Sequence, residues 1–364
     1  MSNKIKSSFI TLPVELVYRI LDNLEQLDIF LSLQNVCTRF NAIIDTYSRY
    51  KTFIELKLVG QLGNHKRLQL LTHVLQKNMT LTRLNLERNN FGIIGTQYLS
   101  QALSNNTKLM IFDLGWNYIG DEAIKYLSYA LENNTTLTTL NLEQNCITAE
   151  GAQYLGRGLQ NNTTLVILNL EGNKIGADGT QYLAQMLQTN LTLTKLNLER
   201  NQISDKGIQY LTLALQENRT LNILDLGWNS ISDTGANYLA YVLQNNTTIK
   251  TLNLNNNEIN AKGAQYLAQA LETNKTLTTF DLRGNKIGDI GVQYLSNGLQ
   301  NNTTLIIFDL RLNNITKEVA QYFAYVLSNN KTLTTLDLRN NGIDTKQAYY
   351  LFNDVNFLSN RVWC

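Results

Sequence analysis

Asn89, Asn117, Asn145, Asn173, Asn201, Asn229, Asn257, Asn285, Asn313 and Asn341 stand 28 residues apart, each closing a phrase such as LTRLNLERN or LNILDLGWN. A fixed period of this length implies a stack of small units, each burying its apolar face only against its neighbours. A side chain that recurs in one role in every unit belongs to the frame. Function is therefore to be sought where the units differ, or in the segment outside them. A stack also escapes the size limit of a single core, so 364 residues imply no second globular domain.

In register, one unit is LxxLxLxxNxIxxxGxxYLxxALxxNxT. The period of two at Leu84 and Leu86 gives way to a period of 3.6 at Gly95, Tyr98, Leu99, Ala102 and Leu103, which predicts strand, turn and helix. Parallel strands stack at about 4.8 Å, whereas packed helices need roughly 8–10 Å. A stack sharing both must curve, with its strands on the inner side. The Asn89 column is expected to supply buried amides that satisfy backbone groups where the strand turns. A second column, Asn78, Asn106, Asn134, Asn162, Asn190, Asn218, Asn246, Asn274, Asn302 and Asn330, follows each helix. It predicts a left-handed helix stop, with its N-x-Thr sequons as by-products of the capping sequence. Tyr98 and its nine equivalents are expected to fill the seam between helices with hydroxyls toward water.

Shifting back 28 residues from Leu81, Leu84 and Leu86 lands on Phe53, Leu56 and Leu58, so residues 52–80 make a degenerate capping repeat. Residues 81–364 then hold ten repeats, and Val355, Phe357, Leu358 and Trp363 are expected to shield the last layer. The 28-residue unit resembles the ribonuclease-inhibitor type of leucine-rich repeat. That resemblance implies an α/β horseshoe solenoid, parallel strands concave and helices convex, working through surfaces on a common scaffold.

The net charge of +2, from 31 basic and 29 acidic residues, offers no field for nucleic acid or an anionic membrane. No apolar run of about 18 residues occurs, and the start MSNKIKSSFITLPVELVYRI has no continuous apolar stretch of the secretory kind. Cys37, Cys146 and Cys364 are scattered thiols without paired spacing. A soluble protein of the cytosol or nucleus is expected.

Residues 8–51 lie outside the repeats. Pro13 fits the first turn of a helix, Leu16, Ile20, Leu21 and Leu24 form a 3.6-period stripe, and Val36, Phe40, Ile43 and Ile44 mark a third short helix after one opened by Asp28. The phrase carried by Leu12, Pro13, Glu15, Leu16, Ile20, Leu21, Leu24, Leu27, Asp28, Val36, Cys37, Arg39 and Phe40 resembles the F-box. That resemblance implies docking on the Skp adaptor of a cullin ubiquitin ligase through Leu12, Pro13, Leu16, Ile20, Leu21 and Leu24. The other reading is that these helices merely cap the solenoid.

Within each strand, positions equivalent to 83, 85 and 87 face the concave side. The last of these runs Glu87, Gly115, Glu143, Glu171, Glu199, Gly227, Asn255, Arg283, Arg311, Arg339, acidic first and basic last. Asp281, Asp309 and Asp337 stand beside the arginines, so a self-compensated ladder is an alternative to a binding stripe. Trp116 and Trp228, each in LGWN, are candidate anchors for a protein partner, or an echo of a four-repeat duplication.

No catalytic or metal constellation emerges: His65 and His73 are the only histidines and neither has a partner at triad or ligand spacing. No cofactor is called for. The sequence thus points to a non-catalytic interaction protein: a ligase substrate receptor binding an unknown protein substrate on its concave face. The alternatives are a pure binding or inhibitor protein, or a Ran-type GTPase activator, with the N-terminal helices only as a cap.

Overall fold

The computed structural model describes residues 54–62, 68, 69, 71, 72, 75, 76, 80–343 and 362–363. The F-box-like segment 8–51, including Leu12, Pro13, Leu16, Ile20, Leu21 and Leu24, lies outside the described residues.

The chain alternates short strands with helices: β1 (Glu55–Lys57), β2 (Arg83–Asn85), α1 (Gly92–Asn105), β3 (Ile111–Asp113), α2 (Gly120–Asn133), β4 (Thr139–Asn141), α3 (Ala149–Gln160), β5 (Ile167–Asn169), α4 (Gly176–Thr189) and β6 (Lys195–Asn197). It continues through α5 (Ser204–Glu217), β7 (Ile223–Asp225), α6 (Asp233–Asn245), β8 (Thr251–Asn253), α7 (Ala261–Thr273), β9 (Thr279–Asp281), α8 (Gly288–Gln300), β10 (Ile307–Asp309), α9 (Ala320–Asn329), β11 (Thr335–Asp337) and β12 (Val362–Trp363). All twelve strands form one sheet in chain order. Neighbours are parallel with a 28-residue offset from β1 to β11, as in Leu84 opposite Phe112, and Phe112 opposite Leu140. The degenerate repeat thus contributes β1, and Trp363 lies in a strand added at the far end, opposite Asp337.

Leu84 and Leu86 are buried, and so are Leu99, Ala102 and Leu103 from the helix side. Among the described residues the equivalent positions recur along the repeats and make one continuous core. After each strand the chain takes a left-handed residue: Arg88, Trp116, Gln144, Arg200, Trp228, Asn256, Leu312 and Asn340 have φ of 51–60°, with Gly172 and Gly284 in the same column. Non-glycine residues resist this conformation by roughly 1–2 kcal/mol, so something must hold the turn. The Asn89 column does. Asn117 Nδ2 donates to the carbonyls of Leu86, Leu114 and Gly115, and its Oδ1 accepts from the Asn89 N–H at 2.8 Å.

The second asparagine column departs from expectation. Asn106 (φ −83°, ψ 128°) and Asn134 (φ −76°, ψ 129°) are extended, not left-handed. Their amides are buried and span repeats: Asn134 Nδ2 donates to Leu103 O at 3.0 Å, and its Oδ1 accepts from the N–H groups of Thr136 and Leu137. This column ties each helix end to the previous one.

Helices begin in two ways, set by the residue 27 positions upstream. Where that residue is Asp121, Asp205 or Asp233, the N-cap is Thr148, Ser232 or Asn260, whose N–H donates to the aspartate at 2.7–2.8 Å, and Asp289 likewise accepts from Thr316 N–H at 2.8 Å ahead of the 3-10 turn Lys317–Val319 that leads into α9. Where it is Ile93, Ala149, Ala177 or Ala261, the residue is Gly120, Gly176, Ser204 or Gly288 with φ of 57–68°. Its N–H then donates to a backbone carbonyl of the next repeat at 2.9 Å.

Candidate protein-binding surface on the strand face

The strand face is built from four columns, and the sequence pattern alone had assigned roles to only part of them. The column at position 85 contains only Asn or Asp, from Asn85 to Asp337. Each side-chain oxygen accepts the backbone N–H two residues on, as Asn141 does from Glu143 at 3.1 Å and Asp225 from Gly227 at 3.0 Å. This locks the end of every strand and aims the next side chain inward. The exclusive Asn/Asp usage was the signal that could have revealed it.

Trp116 and Trp228 occupy the left-handed turn just past the strand, and are 40% and 49% exposed. Each lies under a guanidinium from the preceding repeat: Arg88 sits 5.2 Å from the ring centre of Trp116, and Arg200 5.1 Å from that of Trp228. Neither arginine figured among the expected site residues. Their period-based column looks unremarkable, because the contact joins neighbouring repeats rather than neighbouring residues. Trp116 Nε1 donates to Glu143 at 3.1 Å, tying one anchor to the acidic row.

That acidic row is partly compensated from the adjacent column. Arg88 meets Glu87 at 3.3 Å, and Arg200 meets Glu171 at 3.6 Å and Glu199 at 3.9 Å. Negative charge still dominates locally. Burial, with repulsion from Asp225 and Glu171, pushes Glu199 up to about 7 despite Arg200 and Arg283. Glu143 is also raised, chiefly by burial, and so is Asp225.

The basic end behaves differently. Arg311 clasps Asp309 at 2.5 Å and reaches Asp337 at 3.3 Å, while Arg339 clasps Asp337 at 2.6 Å. These two arginines form the self-compensated ladder. Arg283 closes no such pair among the described residues, and the nearby Asp281 is raised by burial to about 6. The structure therefore brings Glu143, Glu171, Glu199, Trp116 and Trp228 into one acidic, aromatic stretch with Arg88 and Arg200, and separates from it the neutralised Arg311 and Arg339.

Among the described residues no group of three or more His, Cys, Asp and Glu side chains is placed to hold a metal ion, and no helix is long and apolar enough to cross a membrane.

The leucine-rich repeat family model matches residues 77–99, 105–128, 133–156, 161–184, 189–211, 217–240, 245–268, 273–296, 301–324 and 329–346. The chain belongs to that family. Such repeats imply a protein-interaction role on a scaffold that is typically non-catalytic, and no catalytic family is indicated. No curated protein matches the chain. Among solved structures, a chain of the Rad7 and Elc1 complex in yeast aligns at 16% identity and TM-score 0.56, over 97% of this chain and 86% of that one. An internalin (inlF) from Listeria monocytogenes aligns at 22% identity and TM-score 0.49, over 92% and 95%. Leiomodin-1 actin-binding site 2 aligns at 24% identity and TM-score 0.36, over 42% and 88%. At this identity the likeness to the yeast complex is one of fold.

Proposed function

We infer that the chain is the non-catalytic substrate-recognition subunit of a Skp–cullin–F-box ubiquitin ligase. In this reading residues 8–51 dock on the Skp adaptor through Leu12, Pro13, Leu16, Ile20, Leu21 and Leu24. The strand face selects the protein to be modified. The observation that carries the reading is the F-box-like phrase beginning at Leu12 and Pro13, set directly before the first repeat. A solenoid with an exposed strand face gives such an adaptor-docked chain a surface on which to hold a substrate. Two exposed tryptophans beside half-buried, under-compensated carboxylates are features of a protein-contact surface, where aromatic anchors supply residence time and charge supplies capture rate. A chain of like fold is crystallised as part of a two-protein complex, which is compatible with the reading.

The test is affinity capture of recombinant Skp adaptor, then of cullin, on the full chain. Co-elution of both is expected. An adaptor that never co-elutes overturns the ligase reading and leaves a binding or inhibitor protein built on the same face.

A further inference from the structure

The first residue of each strand forms a row across the strand face. From β2 to β9 the row runs Arg83, Ile111, Thr139, Ile167, Lys195, Ile223, Thr251 and Thr279, each opposite the next in the parallel ladder. Isoleucine stands on every second strand, at β3, β5 and β7, and a polar side chain stands on each strand between. The three isoleucines are half-buried, unlike the fully buried Phe112, Leu168 and Leu224 that follow them. At the β1 end, Ile54 is 60% exposed and Met110 47%. With Thr82, Arg83, Ile111 and Thr138 they line a hollow of about 250 Å³.

Spacing decides what such a row can receive. Apolar contacts two strands apart repeat at about 9.6 Å, twice the ~4.8 Å between neighbouring strands. An extended β-segment presents like-facing side chains every ~6.7 Å, and an α-helix repeats one face every seven residues, about 10.5 Å. A polyproline II helix repeats every three residues, about 9.3 Å, and so keeps register with the isoleucines. Its backbone has no internal hydrogen bonds and needs outside donors. Arg83, Thr139, Lys195 and Thr251 supply side-chain donors on the alternate strands. Arg83 and Lys195 are also the only charges in this row from β2 to β9, and both are basic, although Lys195 also acts on Asp225 of the next strand. The acidic row of Glu143, Glu171 and Glu199 stands four residues further along each strand, roughly 13 Å away.

We propose that this row binds an extended polyproline II segment of the partner protein. Every third residue of the segment is apolar and lies against Ile111, Ile167 or Ile223, one terminal apolar residue fills the hollow between Ile54 and Met110, and acidic residues stand opposite Arg83 and Lys195. The inference rests on the reading of the strand face as the surface that selects the partner, and it names the chemistry by which that partner is held.

The probe is a set of fluorescent proline–serine peptides, each with four leucines set two, three or four residues apart and aspartates in the intervals, measured by anisotropy against the full chain. Three-residue spacing should bind at least ~10-fold more tightly than either other spacing, because only it brings all the anchors into contact without bending a preformed helix. Lysines in place of the aspartates should weaken it. An alanine-rich helical peptide with leucines seven residues apart should bind no better than the mismatched spacings. Ile111→Thr with Ile167→Thr should bring the best peptide down to the mismatched level. Thr139 and Thr251 already hold this position in neighbouring strands, and unchanged melting confirms that the double variant is folded. Ile307→Thr, in the same position of β10 but outside the alternation, should leave affinity unchanged. Equal or absent binding at all spacings, tightest binding by the helical peptide, or an Ile307→Thr loss as large as that of the double variant overturns the proposal. Self-association of the parent that the double variant abolishes also overturns it, by giving the row to a second copy. A flat spacing profile in a chain that still captures the Skp adaptor removes this inference alone, whereas lost adaptor capture with the three-residue optimum intact removes the ligase reading alone.

Discussion

Asp121 holds the first turn of the next repeat's helix, accepting from the N–H of Thr148 at 2.7 Å and of Gly151 at 3.0 Å, while the Thr148 hydroxyl donates to its other oxygen. A Cβ on Gly151 would collide with that carboxylate, so the glycine is part of the device. Asp121→Ala should cost about 1–2 kcal/mol, the usual range for a lost helix cap. Adding Thr148→Gly should recover part of it, because Gly176 after Ala149 shows the other helix start in use. Urea melts of the two single variants and the double variant measure the coupling; additive losses would contradict the pairing.

Asn117 is fully buried and satisfies three carbonyls and one N–H across two repeats. Asn117→Ala strands these groups and releases the left-handed Trp116, so a loss of about 2–3 kcal/mol or more is expected. Chemical denaturation checks it. A loss below about 0.5 kcal/mol, the level of an ordinary surface change, would contradict the role assigned to the column.

Glu199 binds its proton more tightly in the fold than in the unfolded chain, because burial lifts it to about 7. The folded state then holds the extra proton between the ordinary carboxylate range and about 7. The stability this contributes is fully present at low pH and is lost as pH rises through about 7. Glu199→Gln removes that loss. The variant should show a smaller fall in melting temperature from pH 5 to pH 8 and should melt above the parent at pH 8. Identical slopes would contradict the burial of this carboxylate.

Deleting residues 1–51 should leave cooperative melting intact. β1 already pairs with β2, Leu58 N–H donates to Asn85 O at 2.9 Å, and Leu56, Leu58 and Leu62 are buried. On this account the degenerate repeat closes that end of the core. Loss of a cooperative transition in the truncated chain would show that the N-terminal helices are the true cap.

The frame is legible in the sequence because each column has one environment: the positions of Leu84, Leu86 and Leu99 are core throughout the described repeats, and the Asn89 amide has one set of backbone partners. Asn106 departs from the left-handed stop that its place after a helix suggests. Its amide instead reaches Leu75 O, 31 residues back, a contact that no local pattern reveals. The same limit hid Arg88 and Arg200, whose stacking depends on the pitch between repeats. The position-85 Asx turns are legible in the exclusive Asn/Asp usage of that column, whose alternation alone marks it only as concave surface. Charge on Arg311 and Arg339 could be counted, but their neutralisation depended on side-chain geometry.

The most direct measurement is titration calorimetry of the full chain with the Skp adaptor, run beside Leu12→Ala with Pro13→Ala in one variant. The account predicts a saturable one-to-one complex for the parent, its loss in the variant, and nearly equal melting of the two proteins. No heat from the parent, or equal affinity in both, would contradict the assignment of residues 8–51 to adaptor docking.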